Sequence, residues 1–279
     1  MNLGIILIIL AAALLHATWN TVVKTAADRT VTLGLVALGH VIPGGLMVSV
    51  LPLPSIESLP YLAGSTVVHF GYFYMLNQAY RHGDLSVVYP IARGIVPALV
   101  ALWAVIFAGE QLPMQAWIGI AVIAAGIQAS SWSVLRQGVG RASLVFALGT
   151  GCCISIYSLV DGLGVRVSGN ILSYWAWHSV LHIFLVGFVT IRRGTRLLAL
   201  PLRTWAVGLL GGVVSMTAYG LVLYAKNFAP LGVVSALRET SVIFAALIGF
   251  LFLGEGNPKR RLLAAVMMAS GVTMIALSP

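Results

Sequence analysis

Three ionisable side chains stand well inside long apolar stretches of the sequence: Arg93, Arg238 and Glu239. A charge placed in hydrocarbon is costly, so such a residue marks either a site or a pair. A guanidinium presents a planar fork of donors that grips a carboxylate or phosphate at two points. The two arginines would therefore suit an anionic or zwitterionic solute, with Glu239 holding an amine or taking a coupling proton. The plainer alternative is that Glu239 pairs with an arginine only to neutralise it and lock two helices together.

Other polar groups could line the same cavity. His16 and Asn20 lie one helical turn apart and share a face, with Trp19 beside them and Lys24 four residues on. Tyr157, Ser158 and Asp161 form a second polar run, and His69, Tyr72, Phe73, Tyr74, Asn77 and Tyr80 a third. The candidate substrate-binding set is Arg93, Arg238, Glu239, His16, Trp19, Asn20, Tyr74, Asn77, Tyr157 and Tyr219. For Trp19 and Tyr157 the competing role is anchoring at the bilayer interface, and for the aromatic stripe it is core packing. His178 and His182 have the i, i+4 spacing of a metal pair, but no acidic residue lies near them in sequence, and His40 stands alone. Packing is the expected role of these histidines, and no metal, cofactor or catalytic group is expected. Pro90 and Pro97 flank Arg93 and would kink or break its helix, as suits a cavity wall or a passive bend. Gly208 and Gly212 make a small-xxx-small helix contact.

The elements that must carry these residues follow from composition. Hydrophobic residues make up 59% of the 279 positions and charged residues 8%, which is too little polarity to wet a soluble surface. Apolar stretches fall at 3–23, 31–51, 59–80, 84–108, 114–134, 141–162, 170–191, 203–225, 230–253 and 260–278. Each is long enough for a membrane-spanning helix, and about twice the length of a barrel strand. The class is thus all-α membrane protein with about ten transmembrane helices. The first run lacks a basic leader and a clear cleavage site, so it is expected to be retained. Cys152 and Cys153 are neighbours, where a disulfide would be strained, and they serve as small packing residues.

A shift of 145 positions lays the second part of the chain on the first. It brings Tyr74 onto Tyr219, Arg93 onto Arg238, Gly109 and Glu110 onto Gly254 and Glu255, Pro113 onto Pro258 and Gly126 onto Gly271. Coincident Arg, Gly-Glu and Pro at one offset mark a duplication, with units 1–137 and 138–279. Five spans per unit would invert the second relative to the first. The loops agree. The one at 109–114 has no basic residue, while its counterpart carries Lys259, Arg260 and Arg261, and the loop near Glu57 has none, against Arg192, Arg193, Arg196 and Arg203. Lys24, Arg29, Arg81, Arg136 and Arg141 join those clusters on one side, with Arg166 and Lys226 on the other. The formal charge of +9 therefore reads as topology and not as nucleic-acid binding, and places both termini outside the cytoplasm.

The chain resembles the drug/metabolite transporter superfamily, in particular bacterial members with two EamA-type domains. The resemblance covers nearly the whole length and rests on Trp19-Asn20 with Lys24, the run from Ser86 to Ala98, the Gly-Glu ends at 109–110 and 254–255, and the spans closing at Gly126 and Gly271. It implies inverted five-helix repeats, a central cavity lined mainly by spans one, three, four, six, eight and nine, and multi-pass insertion in a bacterial inner membrane. It leaves open amino acids, nucleotide sugars, phosphorylated sugars and drugs as cargo, and characterised relatives often have cytoplasmic termini, against the charge count. The expected function is secondary transport of a small amino-acid-like or organic anionic metabolite by alternating access, with export as the direction and no nucleotide-binding loop to power it. Alternatives are a lipophilic-cation exporter, a phosphate-type anion exchanger, an intramembrane enzyme and a non-transporting receptor. The expected partners are the solute and the bilayer, as monomer or homodimer.

Overall fold

The computed structural model describes residues 2–24, 29–82, 85–130, 139–198, 200–253 and 258–278, all of them in helices or the short turns between helices. Arg136 and the Gly254-Glu255 pair lie outside these residues. Twelve α-helices follow in order: α1 Leu3–Lys24, α2 Arg29–Val48, α3 Leu59–His82, α4 Leu85–Ala108, α5 Met114–Ser130, α6 Arg141–Val167, α7 Ile171–Val180, α8 Ile183–Leu198, α9 Leu202–Phe228, α10 Leu231–Arg238, α11 Ser241–Leu253 and α12 Pro258–Ala276. Helices are what a lipid-facing chain must form, because each backbone group finds its partner within its own segment.

Among the described residues six stretches are long and apolar enough to cross a membrane: Leu3–Thr21, Thr30–Val48, Val88–Ala108, Arg141–Val167, Ile171–Gly194 and Leu202–Phe228. The helix α3 is as long, but its His, Tyr and Asn residues keep it below the same standard, and α5 and α12 are apolar but shorter. Leucines, valines and phenylalanines such as Leu7, Leu46, Val67, Phe107, Leu210 and Val266 stand exposed around the outside. A water-facing surface would not carry so much apolar area, whereas a lipid-facing one does.

Most of the packing runs between the first part of the chain and the second. The main pairs are α3 on α6, α1 on α9, α4 on α6, α2 on α9 and α5 on α12. The 145-residue shift exchanges the α3–α6 pair with the α9–α1 pair, so related helices meet related partners. Two crossings are close because glycine removes the side chain. A Cβ on Gly271 would lie 2.6 Å from the Gly119 carbonyl, and one on Gly39 would lie 2.7 Å from the Gly212 Cα. The contact at Gly208 and Gly212 is therefore the crossing of α9 on α2.

The helix breaks are not where proline predicts them. The helix α4 runs unbroken through Pro90 and Pro97, and the Gln128 amide donates to the Pro90 carbonyl at 3.2 Å. Instead the chain breaks at Glu239–Thr240, between α10 and α11, and at Leu181–His182, between α7 and α8. At the first break the amides of Glu239 and Thr240 bond three residues back, to Ala236 and Leu237, and the Thr240 hydroxyl takes the Leu237 carbonyl as well at 2.7 Å. A side-chain hydroxyl that competes for a helical carbonyl tightens and ends the turn.

Candidate functional site

Two polar stations are built between the helices. The first joins α1, α4 and the α10–α11 break. Arg93 is 5% exposed and its Nε lies 3.1 Å from Glu239 Oε2, on a carboxylate that is 1% exposed. The two atoms are close enough for ionic attraction but not aligned for a hydrogen bond, and each lacks a hydrogen-bond partner. Arg93 Nη2 reaches His16 Nε2 at 3.3 Å, while the Trp19 indole N–H donates to His16 Nδ1 at 3.2 Å. Both visitors are donors, and a neutral imidazole has one acceptor nitrogen. One donor is therefore always left over. Asn20 spends its amide on the His16 carbonyl at 2.7 Å, a bond within α1.

The second station joins α6, α7 and α9. Asp161 is fully buried and accepts from two donors, Tyr174 Oη at 3.1 Å and Tyr219 Oη, and His178 Nε2 faces it at 3.5 Å. Lys226 is equally buried, and its ammonium donates to the Ser158 carbonyl at 2.7 Å and hydroxyl at 2.9 Å. Tyr219 connects the stations, because the Lys226 ammonium and the Arg238 guanidinium each lie 5.8 Å from its ring centroid. Arg238 is 7% exposed, sits in the last turn of α10, and has no hydrogen bond or carboxylate partner among the described residues. A helix C-terminus partly offsets a cation, since its free carbonyls are negative. Among the described residues the buried basic groups Arg93, Lys226 and Arg238 thus stand with two buried acids, Asp161 and Glu239.

The structure brings together Arg93, Glu239, His16, Trp19 and Asn20, and brings Arg238 and Tyr219 beside them. Tyr157 joins the histidines instead, stacked on His69 with centroids 4.2 Å apart. Tyr74 and Asn77 do not reach either station. Tyr74 is 58% exposed, Asn77 is exposed too, and neither makes a hydrogen bond or ring contact among the described residues. The repeat-related tyrosines have therefore parted company, Tyr219 facing in and Tyr74 out.

Sequence reasoning missed three features. Lys226, counted with the loops, lies inside α9 and is buried. His178, which has no acidic neighbour along the chain, finds one across space in Asp161. The offset itself held the third signal, because subtracting 145 from Asp161 gives His16, so the acid of one station and the imidazole of the other are repeat-equivalent. Among the described residues no group of His, Cys, Asp or Glu is arranged to hold a metal ion.

A separate ionic junction ties the helix ends. The Glu110 carboxylate accepts from the Leu231 amide at 2.9 Å and from Arg166 Nη2 at 2.8 Å, and Arg166 donates further to the carbonyls of Lys226 and Ala229, each at 2.9 Å. An acid thus caps the start of α10 and an arginine caps the end of α9, each side chain meeting the end whose dipole it complements. The junction holds the loop between those helices against the ends of α4 and α6.

One family model, that of the EamA-like transporter family, matches the chain twice, over residues 2–132 and 141–277. A solved crystal structure of a protein superposes with a TM-score of 0.75 at 17% identity, covering 99% of this chain and 98% of that one, which shows a shared fold. No curated protein matches. Two family matches that together take in both stations, on an all-helical chain with several membrane-crossing helices, settle its kinship: the chain belongs to the EamA-like transporter family and is a multi-pass membrane protein of the transporter class.

Proposed function

We propose that this transporter moves a small anionic or zwitterionic metabolite by alternating access, with about ten crossings arranged as two inverted five-helix units, 1–137 and 138–279. The observation that carries the reading is Arg238. A guanidinium sunk among helices with no carboxylate partner is unfavourable by several kcal/mol in order of magnitude, a cost that a bound carboxylate or phosphate would offset. Two further features point the same way. The neutral His16 ring can serve only one of the two donors that reach it, and the Arg93–Glu239 contact is misaligned, so Arg93 has hydrogen-bonding capacity to spare. An amino acid would place its carboxylate on the arginines and its ammonium on Glu239. Rocking of the two units about this position would then expose it to either side in turn.

The test is uptake into liposomes containing the purified protein, with labelled amino acids, dicarboxylates, sugar phosphates and a lipophilic cation offered in parallel. Saturable uptake of an acidic or zwitterionic solute is expected, and replacement of Arg238 by Ala abolishes it. Uptake confined to the lipophilic cation would overturn the reading, because such a solute has no use for an arginine that lacks a carboxylate partner.

A further inference from the structure

Four histidines from three parts of the chain cluster together, one of them against Asp161. His178 of α7 faces the carboxylate; His182, at the α7–α8 break, lies 5.2 Å from the His178 ring; His69 of α3 lies 5.7 Å from His178 and 6.1 Å from His182; and His40 of α2 stacks on His182 at 4.4 Å. His69, His178 and His182 share the wall of a half-open cavity of about 30 Å³ with Ser65 and Thr66, the rest of its wall being apolar and including Phe70, Phe73 and Phe184, room for about one water molecule. Hydrogen bonding sets the tautomers. His69 Nδ1 donates to the Ser65 carbonyl at 2.8 Å and His182 Nδ1 to the His178 carbonyl at 3.1 Å, so in both rings Nε2 is left as a free base. His178 uses Nε2 towards Asp161 and keeps Nδ1. The buried Nδ1 of His40 has no partner.

We infer that this cluster is the proton site of the transporter, separate from the arginine station: a proton is held on His178 against the Asp161 carboxylate, and His69 and His182 pass it to and from the water-sized cavity. The inference rests on the transport reading for its role, though not for its chemistry. Nitrogen bases with spare lone pairs suit a proton, whereas an alkali cation needs a cage of oxygens, and no metal geometry is present among the described residues. When the proton arrives at His178 Nδ1, the ring becomes an imidazolium, both nitrogens carry hydrogen, and Asp161 stays a carboxylate. When it leaves, His178 returns to the neutral ring with Nε2–H on Asp161. The groups that face this exchange are Tyr157 on α6, His69 on α3, Tyr174 on α7, Tyr219 and Lys226 on α9, His40 on α2, His182 at the break, and Arg238 on α10. From α4, Arg93 stands over the Tyr89 ring, 5.8 Å from its centroid. Tyr219 makes the link to solute, since its hydroxyl is on Asp161 and its ring lies beneath Arg238.

The first measurement needs no solute. Full-length protein labelled with ¹⁵N-histidine is placed in lipid nanodiscs and acidified from about pH 8 to about pH 5, the interval in which an imidazole changes charge. The His178 signals, assigned by His178→Gln, are expected to move from neutral to imidazolium positions in the wild type and to remain neutral over that interval in Asp161→Asn, an isosteric change that removes the charge and keeps one carbonyl acceptor for the two tyrosines. A His178 ring that stays neutral in the wild type, or behaves alike in both proteins, overturns the proton site. The second measurement uses proteoliposomes and a labelled amino-acid mixture. A gradient of about one pH unit is expected to change wild-type accumulation about tenfold at one proton per solute, and that of Asp161→Asn by a factor of about one. An equal response in the two overturns the coupling. A wild type that moves none of the mixture counts against the anion reading, while the nanodisc result still decides the proton site.

Discussion

Arg93 and Arg238 occupy the same position in the two units, yet they live in different circumstances. Arg93 is in the middle of an unbroken helix and shares Glu239 and His16; Arg238 ends a helix of eight residues and has neither. Their neighbours explain the difference. The residue after Arg238 is Glu239, whereas the residue after Arg93 is Gly94, and a Cβ there would collide with the Gln128 amide. Among the described residues the acid at this level therefore comes from the second unit and meets the arginine of the first. The companion positions differ likewise, His16 in one unit and Asp161 in the other. A duplicated frame has kept its two arginines while dividing the groups around them, leaving one arginine paired and one available.

The comparison can be broken most sharply at the paired arginine. Arg93→Ala strands the Glu239 carboxylate among helices and should destabilise the protein by about 3–5 kcal/mol, seen as a large fall in the melting temperature of the detergent-solubilised protein. Arg93→Met combined with Glu239→Leu should restore most of that loss, because no lone charge remains. At the unpaired arginine the pattern reverses. Arg238→Gln strands nothing, so melting should hold or rise, while the loss of a charged hydrogen bond worth about 2–3 kcal/mol weakens solute binding roughly 30- to 150-fold, read from the KM of uptake. If both arginine variants melt alike, the assignment of paired and available arginines is wrong.

A smaller effect is expected at the helix-end junction. Glu110→Ala deprives the Leu231 amide and Arg166 of their shared acceptor and should lower stability by about 1–2 kcal/mol by chemical or thermal unfolding. The smallest belongs to the tyrosines. Tyr219→Phe removes a donor from Asp161 at a cost of about 1 kcal/mol, whereas Tyr74→Phe should stay within about 0.5 kcal/mol of wild type and leave uptake unchanged. Equal effects at the two would show that Tyr74 turns inward at some stage of transport.

How much of this was legible beforehand depends on the kind of interaction. Membrane class, helical class and duplication are written in apolar run length and in the 145-residue offset, because lipid permits few backbone solutions and a repeat preserves its spacing. That charge is buried at matched positions was legible as well, since Arg93, Arg238 and Glu239 stand well inside apolar segments. Proline was a poor guide to the breaks. A missing amide bends a helix only as far as neighbours allow, and here Gln128 satisfies a carbonyl of α4 while hydroxyl competition ends α10.

By itself, then, the sequence determined that the chain lies in a membrane, that it is doubled, and that charge is buried at matched positions, because each is a matter of composition or spacing along one dimension. Which arginine holds Glu239, that Lys226 sits within the core and not in a loop, that Asp161 meets His178, and that Tyr219 turns in while Tyr74 turns out were decided only by tertiary structure. Those outcomes depend on which helix faces which, set here by glycine crossings such as Gly39 on Gly212 and Gly119 on Gly271, whose partners lie more than 150 positions apart in the chain.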